Sequence, residues 1–252
     1  MEYWPYFLAF AGSVLAGGIN TLAGNGSAIT LTILTDVLGL PGNVANGTNR
    51  LGVWTQAAAG SFAFFRAGKL DFSRSKGLLS MIVLGALAGV WVATHISHEG
   101  FVKVFHYLLL VFFFVILLKP ARWLRETDWA YRPNPWVAMP LALALGFYGG
   151  FIQMGMGILF LALAVLGARY SLLEANALKL FVIALYMPLV IYVFHHYGFV
   201  DWKIGGLMAA GQTLGGYATA RYAAHSPRAN TIAWYVLLIA VGAAIVRFFW
   251  LS

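Results

Sequence analysis

Two cations stand inside strongly apolar stretches of this chain, Arg50 and Lys179. A cation in such surroundings is costly and marks a functional hypothesis. Arg50 offers a planar donor fork suited to oxyanions, and Lys179 a compact point charge. Asn46 and Asn49 stand beside the first, Asn176 beside the second. Upstream of each lies a glycine-rich break. Gly24-Asn25-Gly26 is flanked by Asn20, Thr21 and Ser27, and Gly155-Met156-Gly157 by Gln153. A helix interrupted there frees backbone amides, which attract anions through the helix dipole. These residues are the candidate binding groups for a small anionic substrate. The competing readings are snorkelling of the cations to headgroups, close packing at the glycines, and hydrogen bonds that only tie helices together.

Gln56 and Tyr186 lie two turns deeper, and Gln212 in a later segment; these three are candidates to line a path. His195-His196 reads as an interfacial pair. Ser171-Leu172-Leu173-Glu174 reads as a capping box, which makes Glu174 a cap rather than a proton carrier. Asp71 and Asp201 also read as caps, Pro188 as a helix kink, and Gly85-x-x-x-Gly89 as a packing face. There is no cysteine. No metal-ligand cluster, nucleophile elbow or Walker loop is present, so an enzyme, a metal site, a cofactor and an ATP-driven pump are not expected.

The elements that position these groups follow from composition. Only 10% of the 252 residues are charged and 61% are hydrophobic, with mean hydropathy +0.80. Soluble domains carry about 25% charged residues, and this chain has too few polar side chains to coat a core. The expected class is an all-α polytopic membrane protein with the lipid bilayer as solvent. The net charge of +8 is read as loop cations, not as a nucleic-acid surface. Met1-Glu2-Tyr3-Trp4-Pro5 lacks a basic n-region, so no cleavable signal peptide is expected.

Apolar segments run near 5–23, 27–40, 44–66, 73–96, 102–119, 136–153, 157–168, 172–196, 203–224 and 229–251. About 20 residues span a bilayer, so 27–40 and 157–168 are short. Residues 5–40 as one helix would run about 54 Å at about 1.5 Å per residue, too long for one crossing. Broken or re-entrant units are therefore expected at 5–40 and 136–168.

The second half echoes the first. Residues 45 and 175, 71 and 201, and 85 and 215 share one offset of 130. The expected organisation is a first membrane repeat (1–119), a basic cytoplasmic linker (120–135) and a second membrane repeat (136–252). Each repeat opens on a glycine-broken unit followed by three transmembrane helices. Loop 66–76 holds Arg66, Lys69, Arg74 and Lys76, while its counterpart 197–203 holds only Lys203 among cations. Loop 96–102 is cation-poor, whereas its counterpart at 221–228 holds Arg221 and Arg228. The positive-inside rule puts equivalent loops on opposite faces, so the halves are read as inverted. Unit 136–168 must then return to its own side, as a hairpin or as paired crossings. Inverted repeats with broken helices characterise secondary transporters, with substrate between the repeats.

Two ordered motif sets carry a family resemblance. They are Gly17-Gly18 to Gly26, Ala45-Asn46-Gly47-Thr48-Asn49 and Gly68-Lys69-Leu70-Asp71-Phe72, then Gly149-Gly150, Ala175-Asn176-Ala177-Leu178-Lys179 and Gly198-Phe199-Val200-Asp201-Trp202. The chain resembles the sulfite exporter TauE/SafE family of membrane transporters over nearly its whole length. Many members have Gly-Thr-Ser where Gly47-Thr48-Asn49 stands, and the second copy departs further. The resemblance implies export of small sulfur-containing anions, such as sulfite or sulfonates, across the cytoplasmic (inner) membrane. The residues themselves point to a small anion, not to sulfur. An anion channel, an uptake carrier and a non-transporting assembly subunit stay open as alternatives, and so does a homo-oligomer.

Overall fold

The computed structural model describes residues 3–73, 75–94, 123–151 and 153–250, and every regular element among them is helical. The expected segment 102–119, the cation-poor stretch 96–102, Arg74 and Arg122 lie outside the described residues.

Helix α1 spans Trp4–Ala23, with proline in its first turn where a missing N–H costs nothing. It stops at Gly24, whose left-handed φ of 75° lets its N–H close on the Asn20 carbonyl. Helix α2 (Gly26–Thr32) continues as a π-helical turn over Ile33–Val37 and folds back along α1. A Cβ on Gly26 would sit 2.0 Å from the Ala16 carbonyl oxygen, and one on Gly12 would strike Ile33. Helices α3 (Gly42–Arg66) and α4 (Lys76–Ala93) complete this run.

A second run repeats the order. Helix α5 (Pro135–Phe151) ends at a break, then α6 (Met156–Ala162) passes into a π-helical turn at Leu163–Gly167. Helices α7 (Leu172–His196) and α8 (Trp202–His225) follow, and α9 (Ala229–Trp250) closes the chain. The π-helical turns close with equivalent bonds. Leu38 and Leu40 amides donate to Ile33 and Leu34, and Ala168 and Tyr170 amides to Leu163 and Ala164.

The runs exchange partners. Helix α1 lies along α8, and α5 along α4. Gly85 and Gly89 press on the backbone of Leu143 and Phe147, and Gly146 and Gly150 on Ile82 and Ala86. The expected packing role of Gly85 and Gly89 is borne out, and close approach of small residues is what associates helices in lipid. Helix α3 packs on α7, whose buried face from Leu172 to Phe194 supplies much of the core.

Ser171 and Asp201 cap as expected. Ser171 accepts from the Glu174 amide, and Asp201 from the amides of Lys203 and Ile204. Asp71 instead bonds the Ser73 amide within its turn. Helix α7 continues through Pro188. The His195 ring is exposed and accepts from the Trp202 indole at 3.2 Å.

Contacts define two ends. At one, the Ser75 hydroxyl meets the Tyr170 hydroxyl, Asp128 pairs with Arg169 at 3.1 Å, and Asn230 accepts from the Leu173 amide. At the other, Gly47 packs on Phe199 and Thr48 accepts from the Asp201 amide. Helices α1, α4 and α7 are each long and apolar enough to cross a membrane. Helix α3 is just as long, but it carries Asn46, Thr48, Asn49 and Arg50 in its first turns.

Candidate substrate site at two broken helices

The two breaks touch. A Cβ on Gly24 would fall 2.5 Å from Gly157 Cα, and one on Gly157 2.4 Å from Gly24 Cα. Only glycine permits this approach, and Gly24 also needs its positive φ. Residues expected as separate motifs, 133 positions apart in the chain (24 and 157), are therefore one centre. Asn25 is buried between Gly24 and Gly26, and Gly155 opens α6 with φ 77°.

Each break exposes the last carbonyls of the helix that ends there, and a buried cation from the other run takes them. Lys179 on α7 donates to Asn20 O at 2.8 Å, Thr21 O at 3.0 Å and its neighbour Asn176 Oδ1 at 2.6 Å. That occupies all three ammonium protons. Arg50 on α3 donates through Nη1 to Gly149 O at 2.8 Å, and through Nη2 to Gly150 O and Phe151 O, both at 3.3 Å. Its face lies 5.2 Å from the Phe194 ring centroid. Both cations are fully buried, so neither snorkels.

The remaining polar groups close around these contacts. Asn176 Nδ2 donates to Leu22 O at 3.1 Å, tying α7 to the end of α1. Asn20 donates to Gln56 Oε1, and Gln56 Nε2 donates to the Thr21 hydroxyl, both at 2.8 Å. Gln56 thus braces the first break. Its counterpart Tyr186 braces the second, donating to Gln153 Oε1 at 2.7 Å. Gln153 holds φ 70° without being glycine, a strained backbone of the kind that gathers at functional sites. Asn49 Oδ1 accepts from the Thr30 hydroxyl at 2.6 Å.

Two candidates sit apart from this network. Asn46 is half-buried and makes no hydrogen bond among the described residues, unlike its counterpart Asn176. Gln212 packs against Gly52 and Gly17, and its buried Nε2 has no partner. Sequence reasoning missed Thr30 and Tyr148, whose hydroxyl donates to Met154 O at 2.8 Å. A search for donors to the carbonyls freed by each break would have raised the Tyr148 hydroxyl; Thr30 instead bonds the Asn49 side chain, and no signal in the sequence announces it. Among the described residues no His, Asp or Glu cluster could hold a metal ion.

Residues 9–245 match the family described as Sulfite exporter TauE/SafE. The chain belongs to that family. A probable membrane transporter protein of Sinorhizobium sp is 29% identical over 85% of this chain and 81% of its own length. A probable membrane transporter protein of Haemophilus influenzae is 28% identical over 82% of this chain and 81% of its own. The probable membrane transporter protein YfcA of Escherichia coli is 26% identical over 81% and 75%. No solved structure matches the chain. Family, relatives and apolar helices together indicate a multi-pass membrane transport protein.

Proposed function

We propose that this TauE/SafE chain is a secondary transporter that exports a small anion, a sulfur oxyanion or organosulfonate, across the cytoplasmic membrane by alternating access. The observation that carries this reading is the meeting of two broken hairpins at Gly24 and Gly157, with the carbonyl end of each break neutralised by a buried cation. Uncapped, those carbonyls would repel an anion. With Arg50 and Lys179 bound to them, the centre keeps two positive charges and the amide ends of the returning arms. Lys179, with its protons already used, favours an anion through its field rather than by direct contact.

The architecture supports an inverted repeat as the frame. The first hairpin opens toward the end that holds Thr48 and Asp201, and the second toward the end that holds Ser75, Asp128 and Tyr170. Arg66, Lys69, Arg125 and Arg132 cluster in sequence with the second end, which supports reading that end as cytoplasmic. Each hairpin then enters from one face and returns to it. An inside-negative potential favours anion exit by about 2.3 kcal/mol per charge per 100 mV, so export needs no coupled ion.

The test is counterflow of sulfite, sulfate, thiosulfate and a sulfonate in proteoliposomes, with thermal stabilisation of purified protein by the same panel. Saturable flux of at least one anion is expected, with loss in Arg50→Gln. Flux orders of magnitude above carrier turnover would instead make it a channel. Neither flux nor stabilisation by any anion would leave a membrane-embedded assembly subunit.

A further inference from the structure

The outer side of helix α8 carries a charged cleft that the broken helices do not use. Tyr217, Arg221, Tyr222 and His225 line it, and Ser226 and Pro227, at the turn into α9, complete its wall. Its volume is about 670 Å³. Helix α8 packs inward through Gly211, Gly215, Gly216, Ala220 and Ala223. Arg221, Tyr222 and His225 are exposed on the other side, which in a membrane protein meets lipid. The cleft lies toward the end that holds Ser75, Asp128 and Tyr170, because Asn230, just beyond it on α9, accepts from the Leu173 amide.

The residues are graded with depth. Leu214, Ala218, Arg221 and His225 follow one another at helical spacing on one side of α8. Leu214 is exposed and lies about 10 Å nearer the membrane middle than Arg221, at about 1.5 Å per residue. Between them stand two tyrosines, the residue type that gathers where acyl chains give way to headgroups. Tyr217 packs its ring partly on the core, which makes it a fixed wall, while Tyr222 stands out from the helix.

The cation is uncommitted. Among the described residues the Arg221 side chain makes no ion pair and no hydrogen bond, whereas Arg169 is paired with Asp128. A guanidinium fork matches two phosphate oxygens. The C-terminal end of a helix ordinarily repels an anion, but two of its carbonyls are covered here. His225 Nδ1 bonds Arg221 O at 2.8 Å, and the Ser226 amide donates to Ala223 O. A carbonyl only accepts, so Nδ1 carries a proton and Nε2 is left for the cleft. The repeat does not supply this arrangement twice. The position on α4 equivalent to Arg221 is the exposed Trp91 (221 − 130), so the cation belongs to one end of the molecule.

We propose that this cleft binds an anionic phospholipid, with the phosphate on Arg221 beside His225, the glycerol between Tyr217 and Tyr222, and an acyl chain along Ala218 and Leu214. The lipid comes from the leaflet at that end, the cytoplasmic one under the orientation proposed above. Anionic lipids are concentrated in that leaflet, and basic pockets on membrane helices select them.

The experiment uses the full chain, stripped of lipid in a neutral detergent. Phosphatidylglycerol, phosphatidylcholine and inorganic phosphate are titrated separately, with thermal stabilisation as the readout. Phosphatidylglycerol should bind saturably and more tightly than phosphatidylcholine, and inorganic phosphate should not stabilise. Arg221→Gln should lower phosphatidylglycerol affinity by about fivefold, the usual worth of one cation at a membrane surface, and leave phosphatidylcholine unchanged. Lys69→Gln removes an exposed cation outside the cleft and should leave both lipids unchanged. Native mass spectrometry of retained phosphatidylglycerol reads the same loss should Arg221→Gln alter lipid-free melting. Equal affinity for the two lipids overturns the proposal. So does stabilisation by inorganic phosphate that matches phosphatidylglycerol, which would make the cleft a small-anion site. Equal losses in Lys69→Gln and Arg221→Gln would assign the preference to diffuse surface charge. Anion flux in vesicles of phosphatidylcholine alone tests the transport reading separately, so either can fail without the other.

Discussion

The two breaks perform one structural task with different chemistry. At the first, a lysine takes the carbonyls that end α1, and a glutamine braces them from the same run. At the second, an arginine takes the carbonyls that end α5, and a tyrosine does the bracing. At the first, the cation is fully used. Lys179 has no proton left, and Asn20, Gln56 and Thr21 bond one another. At the second, Arg50 keeps its Nε–H without a partner, because a guanidinium has five N–H donors, and the phenol satisfies only one end of the Gln153 amide. The difference separates a break whose cation is fully used from one whose cation keeps a buried donor without a partner.

The largest effect that could undo this comparison belongs to Lys179→Met. It leaves Thr21 O and Asn176 Oδ1 without the lysine donor in a buried site, while Asn20 O keeps the Gly24 amide. At about 1–3 kcal/mol for each stranded group, several kcal/mol of stability should go. Thermal melting and folded yield measure it. Arg50→Lys keeps a charge at the second break but cannot reproduce the fork to three carbonyls. It should lower anion affinity at least tenfold with a smaller loss in melting temperature. Equal stability losses in both variants would erase the distinction between the two cations.

Next comes the contact between the breaks. Gly157→Ala puts a methyl 2.4 Å from Gly24 Cα, where backbone rather than a side chain must yield. Overpacking of this kind costs about 1–3 kcal/mol, and flux should fall more than stability because the breaks are forced apart. Gly206→Ala meets nothing within 4 Å and serves as the control. Flux in Gly157→Ala equal to that of Gly206→Ala would remove the centre from the transport path.

Much of this frame was legible in the chain. Helix limits follow apolar runs closely, so 172–196 was read as it stands and 5–23 to within a residue. Ser171 and Asp201 cap as their local sequence dictates, because capping is settled within four residues. The shared offset was also readable from residue 45 onward; the π-helical turns at 33–37 and 163–167, which keep the same spacing, were not. The destination of Arg50 and Lys179 was not. Their partners lie 99 to 101 and 158 to 159 residues away. Periodicity places such a cation on a face but does not say which carbonyl it meets. A helix broken inside apolar surroundings frees carbonyls that must find donors. Counting those carbonyls would have made Arg50 and Lys179 caps before making them ligands. Gln212 shows the opposite gap, since nothing in its sequence context foretells an Nε2 left without a partner.

A smaller prediction concerns how the returning arms are anchored. Ser171 caps α7 where Pro41 begins α3, and only the serine offers a side-chain acceptor. Ser171→Ala should cost about 1 kcal/mol, typical of a lost N-cap. Pro41→Ala removes no such bond and should cost less. Differential scanning fluorimetry resolves the two. Similar shifts would mean that the second corner is not the better fastened.

The smallest effect tests the same corner by pH. Gly39 and Arg169 occupy equivalent positions, and both have positive φ, 68° and 58°. Glycine takes that conformation freely, whereas arginine does so at a cost of roughly 1 kcal/mol or more. The linker offsets it. The Asp128 amide donates to Arg169 O at 3.0 Å, the Asp128 carboxylate accepts from the guanidinium at 3.1 Å, and that guanidinium lies 4.0 Å from the Tyr131 ring centroid. The hydrogen bond from Arg169 holds the Asp128 carboxyl below its ordinary range. A depressed carboxylate stabilises the fold above its unfolded pKa, and that contribution disappears as pH falls through the folded value. Wild type and Asp128→Asn should therefore differ slightly at neutral pH and converge in acid. Both side chains are substantially exposed, so the gap should also shrink with added salt. Arg169→Gly makes the corner like Gly39. It relieves the backbone, discards the clamp, and should remove the pH dependence altogether. A pH dependence that survives in Arg169→Gly would assign it to another group and leave the strained corner without its compensation.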